Sequence, residues 1–264
     1  ILAGIVLDYA GNLTFFDRYN DADREKNPEV KERIGYTGTT GYYLPQWTVK
    51  DIEEISKLMF DDFSADDFRR YCEELAIFSH GSIDMKKSNS SFSDGMKMKL
   101  MLAGVMARKT DLLLLDEPVD GLDPVMRRQV MSLILSDVAE YGTTVLISSH
   151  NLRELEDICD HVGLLHRGGI LFSRDLDDMK LGMYKVQCIF ASPLPEDAWD
   201  GFDLLKKEQR GSLYTIIARG DREELMSRLN KMNPTFCELL PLTLEEIFIN
   251  ETEVAGYDVK KLLF

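Results

Sequence analysis

The 264 residues include only four cysteines, no long apolar run and a deficit of positive charge. Cys72, Cys159, Cys188 and Cys237 lie far apart with no C-x-x-C pairing. The sequence therefore suggests neither a zinc site nor a disulfide framework, and reduced thiols are expected. Thirty-one Lys and Arg face 46 Asp and Glu, a net charge of −15. Nucleic-acid binding without sequence preference needs clustered basic residues against phosphates, so no nucleic-acid partner is expected. No apolar run approaches the roughly 18 residues that mark a membrane span. No basic-then-apolar targeting segment opens the chain. Any association with a membrane is thus expected to come through a partner protein. Repeats and low-complexity tracts are missing as well.

What remains reads as a globular α/β protein of one large or two modest domains. Leu13–Phe16 and Arg33–Tyr36 read as short strands, with a polar loop over 17–32 between them. Thr37–Tyr43, rich in Thr, Gly and Tyr, reads as a loop. Apolar residues at Val49, Ile52, Ile55, Leu58 and Met59 have helical spacing, and Phe68, Tyr71, Cys72 and Leu75 repeat it. Gly81–Ser91 reads as a linker, and Asp94–Arg108 as another helix. Leu112–Leu115 is a continuous apolar run, expected to be a strand buried on both faces of a parallel sheet. A helix over Pro124–Tyr141 follows, with Pro at its first turn. Thr143–Ser148 reads as a second buried strand and Leu152–Cys159 as a short helix. Val162–Leu165 and Ile170–Phe172 read as a hairpin. Beyond Met183 the order becomes β, β, α, β, α: strands over Tyr184–Phe190, Ser212–Ala218 and Phe236–Leu240, helices over Glu223–Met232 and Leu244–Asn250. A domain boundary is expected near residue 182.

The chemistry concentrates where the apolar strand ends. Leu112–Leu115 runs straight into Asp116-Glu117-Pro118. In open α/β sheets ligands sit outside the carboxyl ends of the strands. An Asp there can hold Mg²⁺ through oxygen, and a following Glu can take a proton from an attacking water. An acidic helix cap after a core strand explains the same dipeptide equally well. The sequel shifts that balance. Asp120-Gly121-Leu122-Asp123-Pro124 follows at once, and the next strand closes on Ser148-Ser149-His150. Two parallel neighbours would bring His150 and Asp116 to one edge of the sheet.

These residues carry a resemblance to the ATPases of ATP-binding cassette (ABC) transporters, over about residues 1–180. Leu112–Pro118 resembles their Walker B segment, Gly121-Leu122-Asp123 their D-loop, and Ser149-His150 their switch histidine. Phe92-Ser93-Asp94-Gly95-Met96 sits where the Leu-Ser-Gly-Gly-Gln signature belongs. The resemblance implies a P-loop NTPase-type, mainly parallel sheet with an inserted helical subdomain over about residues 40–108. A nucleotide-binding domain would cover 1–182 and a small α+β accessory domain 183–264. The cofactors implied are ATP and Mg²⁺. Asp116 would help bind the metal, Glu117 would polarise the hydrolytic water, and His150 would contact the γ-phosphate. Asp123 would couple the two subunits of a dimer. Ser93, Asp94, Gly95 and Met96 open a helix, an anion-binding position that meets ATP held by the opposite subunit. Transmembrane permease subunits are the implied partners, and the cytoplasmic face of the cell membrane the implied place.

Three departures qualify the resemblance. The signature has Asp94 and Met96 in place of Gly and Gln. Counting without gaps puts Thr39 at the Q-loop glutamine, so that either Thr39 reaches metal-bound water or residues 37–43 form a coupling loop facing a partner. No Gly-Lys dipeptide occurs, so the phosphate-cradling G-x-x-x-x-G-K-[ST] loop is missing. Arg108-Lys109-Thr110 does not replace it, because it ends a helix. The opening phrase Ile1–Gly4 reads as a helix finishing in a turn, which leads us to expect a truncated sequence that hydrolyses little ATP alone. Residues 184–264 resemble the accessory domain of some ABC exporter ATPases, with Leu242–Phe248 typical of that tail. Leu244, Ile247 and Phe248 share a helical face suited to core packing. An exporter-type ATPase is the leading expectation. A degenerate, regulatory ABC subunit and a soluble, non-transport ABC ATPase are the rivals.

Overall fold

The computed structural model describes residues 2–5, 9–20, 28–39, 41, 43–78, 84–166, 168–180, 182–192 and 194–254. The chain divides into two compact units, Ile1–His150 and Asn151–Phe264.

In the first unit, β1 (Thr14–Phe15) and β2 (Tyr19–Asn20) pair as a small antiparallel hairpin, followed by α1 (Pro28–Glu32) and β3 (Ile34–Thr37). Three helices come next: α2 (Val49–Met59), α3 (Ala65–Glu74) and α4 (Asp94–Met106). Then come β4 (Leu112–Asp116), α5 (Pro124–Tyr141) and β5 (Thr144–Ser148). Strands β3, β4 and β5 form a parallel sheet in that order. Neighbours in the sheet, β3 and β4, are thus separated in sequence by the three helices, the inserted arrangement that was expected.

Helices α2 to α5 each start where a side chain satisfies free backbone N–H groups. Thr48 and Asp51 form a reciprocal capping box on α2. Ser64, Ser93 and Asp123 cap α3, α4 and α5. Gly142 ends α5 at φ 69, the left-handed conformation glycine adopts without strain. Arg108, only 6% exposed, locks the helices to the sheet. Its guanidinium donates to the carbonyls of Glu32 and Ile34, pairs with Asp62 at 3.1 Å and stacks 3.9 Å over the Phe60 ring.

Two expectations fail in this unit. The stretch 17–32 is not wholly a loop. It contributes β2 and α1, elements too short to show a period, with Val30 of α1 buried. Nor is β5 buried: its residues alternate between exposed and half-buried, and Leu146 is 53% exposed. Among the described strands β5 lies at the sheet edge, and an apolar run does not distinguish edge from centre.

The second unit opens with α6 (Leu152–Glu156), the hairpin β6 (His161–His166) and β7 (Gly169–Asp175), and α7 (Leu176–Lys180). Then follow β8 (Met183–Ile189), β9 (Asp203–Arg210), β10 (Leu213–Arg219), α8 (Arg222–Lys231), β11 (Phe236–Pro241) and α9 (Leu244–Val254). The last four strands make an antiparallel sheet ordered β11-β8-β10-β9. Strand β9 was not expected, because Lys206, Lys207, Glu208, Gln209 and Arg210 hide any alternation. Charged residues of that kind protect an edge strand from further pairing. Val162, Leu176 and Met179 share one core with Met183, Ile217, Leu242, Leu244 and Ile247. The compact units divide at 150/151, and the hairpin and α7 pack with the later strands.

A buried polar pair ties α3 to α5. Tyr71 is fully buried and its hydroxyl lies 2.7 Å from both Asp137 carboxylate oxygens. Burial raises the Asp137 carboxyl above the ordinary aspartate value. The folded protein then holds a proton that the unfolded chain has released, so stability falls as pH rises from about 3.9 through the raised value. Asp137→Asn keeps an acceptor for Tyr71 and removes this loss. Urea unfolding from about pH 4 to 7 should show a stability difference growing in the variant's favour. An identical pH slope in both proteins would contradict the assignment.

Candidate functional site

Parallel register between β4 and β5 pairs Leu115 with Ile147 and Asp116 with Ser148. The two strands therefore end together, and their last residues face a common edge. Ser148 Oγ donates to Asp116 Oδ1 at 2.7 Å and accepts the Glu117 backbone N–H at 3.0 Å. Glu117 has φ 48, a left-handed conformation uncommon for a residue with a side chain. The turn it makes carries its carboxylate to the neighbouring strand, where Oε2 lies 2.9 Å from His150 Nδ1. That bond is a donation from the ring when Nδ1 carries the proton. Glu117 is partly sheltered, with 24% of its side chain exposed, whereas the His150 ring is 73% exposed.

Asp116, Glu117 and His150 are thus joined into one hydrogen-bonded string, and Ser148 is its hub. Ser148 was not singled out from the sequence. Its signal was the strand-terminal position two residues before His150, matched in register to Asp116. Among the described residues no group of three or more His, Cys, Asp or Glu forms a metal cluster. Asp116 offers carboxylate oxygen with one neutral hydroxyl on Oδ1, a donor set suited to a hard divalent cation completed by other oxygens.

The other expected residues form a second group. Ser93 Oγ accepts the Met96 N–H at 3.3 Å and caps α4. Asp94 is 99% exposed and pairs with Lys97 at 2.9 Å, a hydrogen bond that holds its carboxyl below the usual range. A Cβ at Gly95 would stand 3.1 Å from Leu122 Cδ2 and 3.9 Å from the Gly121 carbonyl oxygen. The start of α4 therefore lies directly against the 121–122 turn. Asp123 accepts from the N–H groups of Val125 and Met126 at 3.0 and 3.1 Å. Its carboxylate acts as the cap of α5. Thr39 is exposed, two residues past the end of β3. Among the described residues no hydrogen bond or ion pair joins Thr39 or 93–96 to the Asp116–Glu117–His150 string.

Comparison with known proteins gives this edge a family. The chain is 31% identical over 249 residues to the ABC transporter ATP-binding protein YtrB of Bacillus subtilis, covering 94% of this chain and 82% of that protein. It belongs to the family of ABC transporter ATP-binding proteins. A family model described as "AAA domain, putative AbiEii toxin, Type IV TA system" matches residues 53–156. A solved ATP-binding subunit of an ABC transporter shares the fold with a TM-score of 0.58 and 22% identity, over 68% of this chain and 72% of that one. A second solved neighbour, an ATP-binding cassette described as a dimer in a post-hydrolysis state bound to ADP and Pi, has a TM-score of 0.53 and 18% identity. That match covers 63% of this chain and 74% of the other. The expected P-loop ATPase fold is therefore correct. No described helix is long and apolar enough to cross a membrane.

Removing the hub tests the geometry. Ser148→Ala takes one donor from Asp116 and the acceptor from the Glu117 N–H. Because the edge is open to water, the expected loss of stability is small, about 0.5–1.5 kcal/mol. The local effect should be larger: the His150 ring resonances should shift in an NMR spectrum as Glu117 loses its anchor. Unchanged resonances would mean that Ser148 does not position Glu117.

Proposed function

We propose that this chain is the nucleotide-hydrolysing motor of an ABC transporter of the exporter type, acting in a dimer of ATPase subunits on attached transmembrane permease subunits. The observation that carries the reading is the string Asp116–Ser148–Glu117–His150 at the carboxyl edge of the parallel strands. Glu117 is the general base: its carboxylate is sheltered, fixed at its backbone by Ser148 and at its side chain by His150. A positioned base of this kind contributes about 10²–10⁴-fold to rate. His150, largely exposed, holds Glu117 through Nδ1, and with both ring nitrogens protonated it would donate from Nε2 to a phosphate oxygen. Asp116 would hold Mg²⁺, which neutralises phosphate charge when bound. Ser93, Asp94, Gly95 and Met96 present the α4 N-terminus to nucleotide on the opposite subunit, Asp123 couples the two subunits, and Thr39 stands at the Q-loop position.

We assign residues 1–182 to the nucleotide-binding domain and 183–264 to an accessory domain whose tail sequence supports the exporter reading. The dimeric neighbour and the transporter relatives support the partners. The subunit would then work at the cytoplasmic face of the membrane through its permease, and no nucleic acid takes part. A second reading, a regulatory subunit that pairs with an active one, is favoured by the exposed Asp94 carboxylate at an anion-binding helix end.

Phosphate release with MgATP separates the two readings. The 264-residue chain alone should hydrolyse little or no ATP, because it supplies no G-x-x-x-x-G-K-[ST] cradle. Mg²⁺-dependent turnover by this chain that disappears in Glu117→Gln would overturn that expectation. When the cradle is supplied within the same chain, Glu117→Gln should lower turnover by about 10²-fold or more with nucleotide still bound. Equal turnover of parent and variant would favour the regulatory reading.

A further inference from the structure

The accessory unit contains a dithiol that the sequence spacing conceals. Cys188 on β8 and Cys237 on β11 are 49 positions apart, yet they are register partners across the antiparallel pair. Their Sγ atoms stand 3.7 Å apart. Directly opposed residues in antiparallel strands have Cα atoms about 4.5–5.5 Å apart. That spacing lies inside the range of about 4.4–6.8 Å found in disulfides. From the 3.7 Å separation the sulfurs must close by about 1.7 Å to reach bond length, a change that side-chain rotation alone supplies.

The two thiols differ in access. Cys188 is fully buried, packed with Phe190, Trp199, Tyr214 and Leu229, while Cys237 is only partly buried. A small oxidant therefore reaches Cys237 first, and Cys188 is the sheltered neighbour that follows. Strand β11 is an edge of its sheet and leads directly into α9, so a bond at this position would fasten a free edge.

We propose that Cys188 and Cys237 are a reversible oxidation site, converted to a cross-strand disulfide by a low-molecular-weight disulfide. The Cys237 thiolate attacks one sulfur of the oxidant, forming a mixed disulfide and releasing the first small thiol. The Cys188 sulfur then attacks Cys237 Sγ, forming the protein disulfide and expelling the second. Two protein thiols are oxidised and one small disulfide is reduced to two thiols, which take up the two protons that the cysteines give up. Burial raises both cysteine thiols, so the exchange is slow at neutral pH and quickens as pH rises.

The test treats the native chain with oxidised glutathione, then labels free thiols in denaturant and weighs the products. Labelling should fall from four cysteines to two, with Cys72 and Cys159 still labelled. A peptide pair joining Cys188 to Cys237 should appear, dithiothreitol should reverse the change, and the thermal midpoint should rise with oxidation. The Cys188→Ser variant should stop at a stable glutathione adduct on Cys237, and Cys237→Ser should show neither the bond nor the rise. Retention of four labelled thiols under conditions that oxidise a small vicinal dithiol would overturn the proposal. So would a glutathione adduct that persists on Cys237 of the parent with Cys188 still free. Should Cys188→Ser not fold, the parent and Cys237→Ser decide the matter.

Discussion

A buried strand must end where its terminal groups find partners, and β4 ends on Ser148. The interior of β4 is apolar and covered, so its carboxylates can appear only after the strand has left the core. Once there, Asp116 and the Glu117 N–H would be left to solvent if β5 were shifted by one residue. Register pairing of Asp116 with Ser148 gives both of them one hydroxyl. A one-residue slip would also turn each side chain of β5 to the opposite face. The geometry around Glu117 and His150 is therefore a consequence of strand register before it is a matter of side-chain choice.

Much of this was readable because the relevant features are local. Leu112–Leu115 announces a covered strand, and the Asp-Glu-Pro that follows has few explanations. The helical periods beginning at Val49 and Phe68, and Pro124 at a first turn, mark helices that the caps Thr48, Ser64 and Asp123 open in the structure. Features set by distant partners were not readable. The pairing of Cys188 with Cys237 depends on β8 and β11 being neighbours, and nothing near either cysteine states that. Ser148 acquires its role only through the register of β4. The division at 150/151 depends on Val162, Leu176 and Met179 joining a core completed by residues as late as Ile247.

Charge patterning misleads a reader of β9 for a physical reason. A strand in a sheet centre must satisfy packing on its flanks, and its alternation shows. An edge strand has one open flank, where Lys and Glu are favoured because they discourage pairing with another chain. Lys206 pairs with Glu208 at 3.0 Å along that strand, so the charges partly offset one another. The opposite edge, β11, carries less charge and leaves Phe236 44% exposed. The two edges of one sheet are thus protected unequally, and the dithiol lies on the less protected side.

The residues that open α4 follow the space available at each position. Gly95 lies against Leu122 so closely that a Cβ would come within 3.1 Å of its Cδ2, a contact that Leu122 would have to relieve. At Asp94 the side chain points into open solvent, 99% exposed, so packing places no limit on what stands there. The carboxylate that results is held by Lys97 one turn along, which keeps part of its charge occupied within the same helix. A negative charge at the first turn favours the helix itself, while it disfavours a second anion at the same N-terminus. Folding and anion binding therefore place opposite demands on residue 94, while a side chain at residue 95 would require Leu122 to yield by a few tenths of an ångström. Asp94 consequently sets the electrostatics of the helix end, while Gly95 sets its packing against the 121–122 turn.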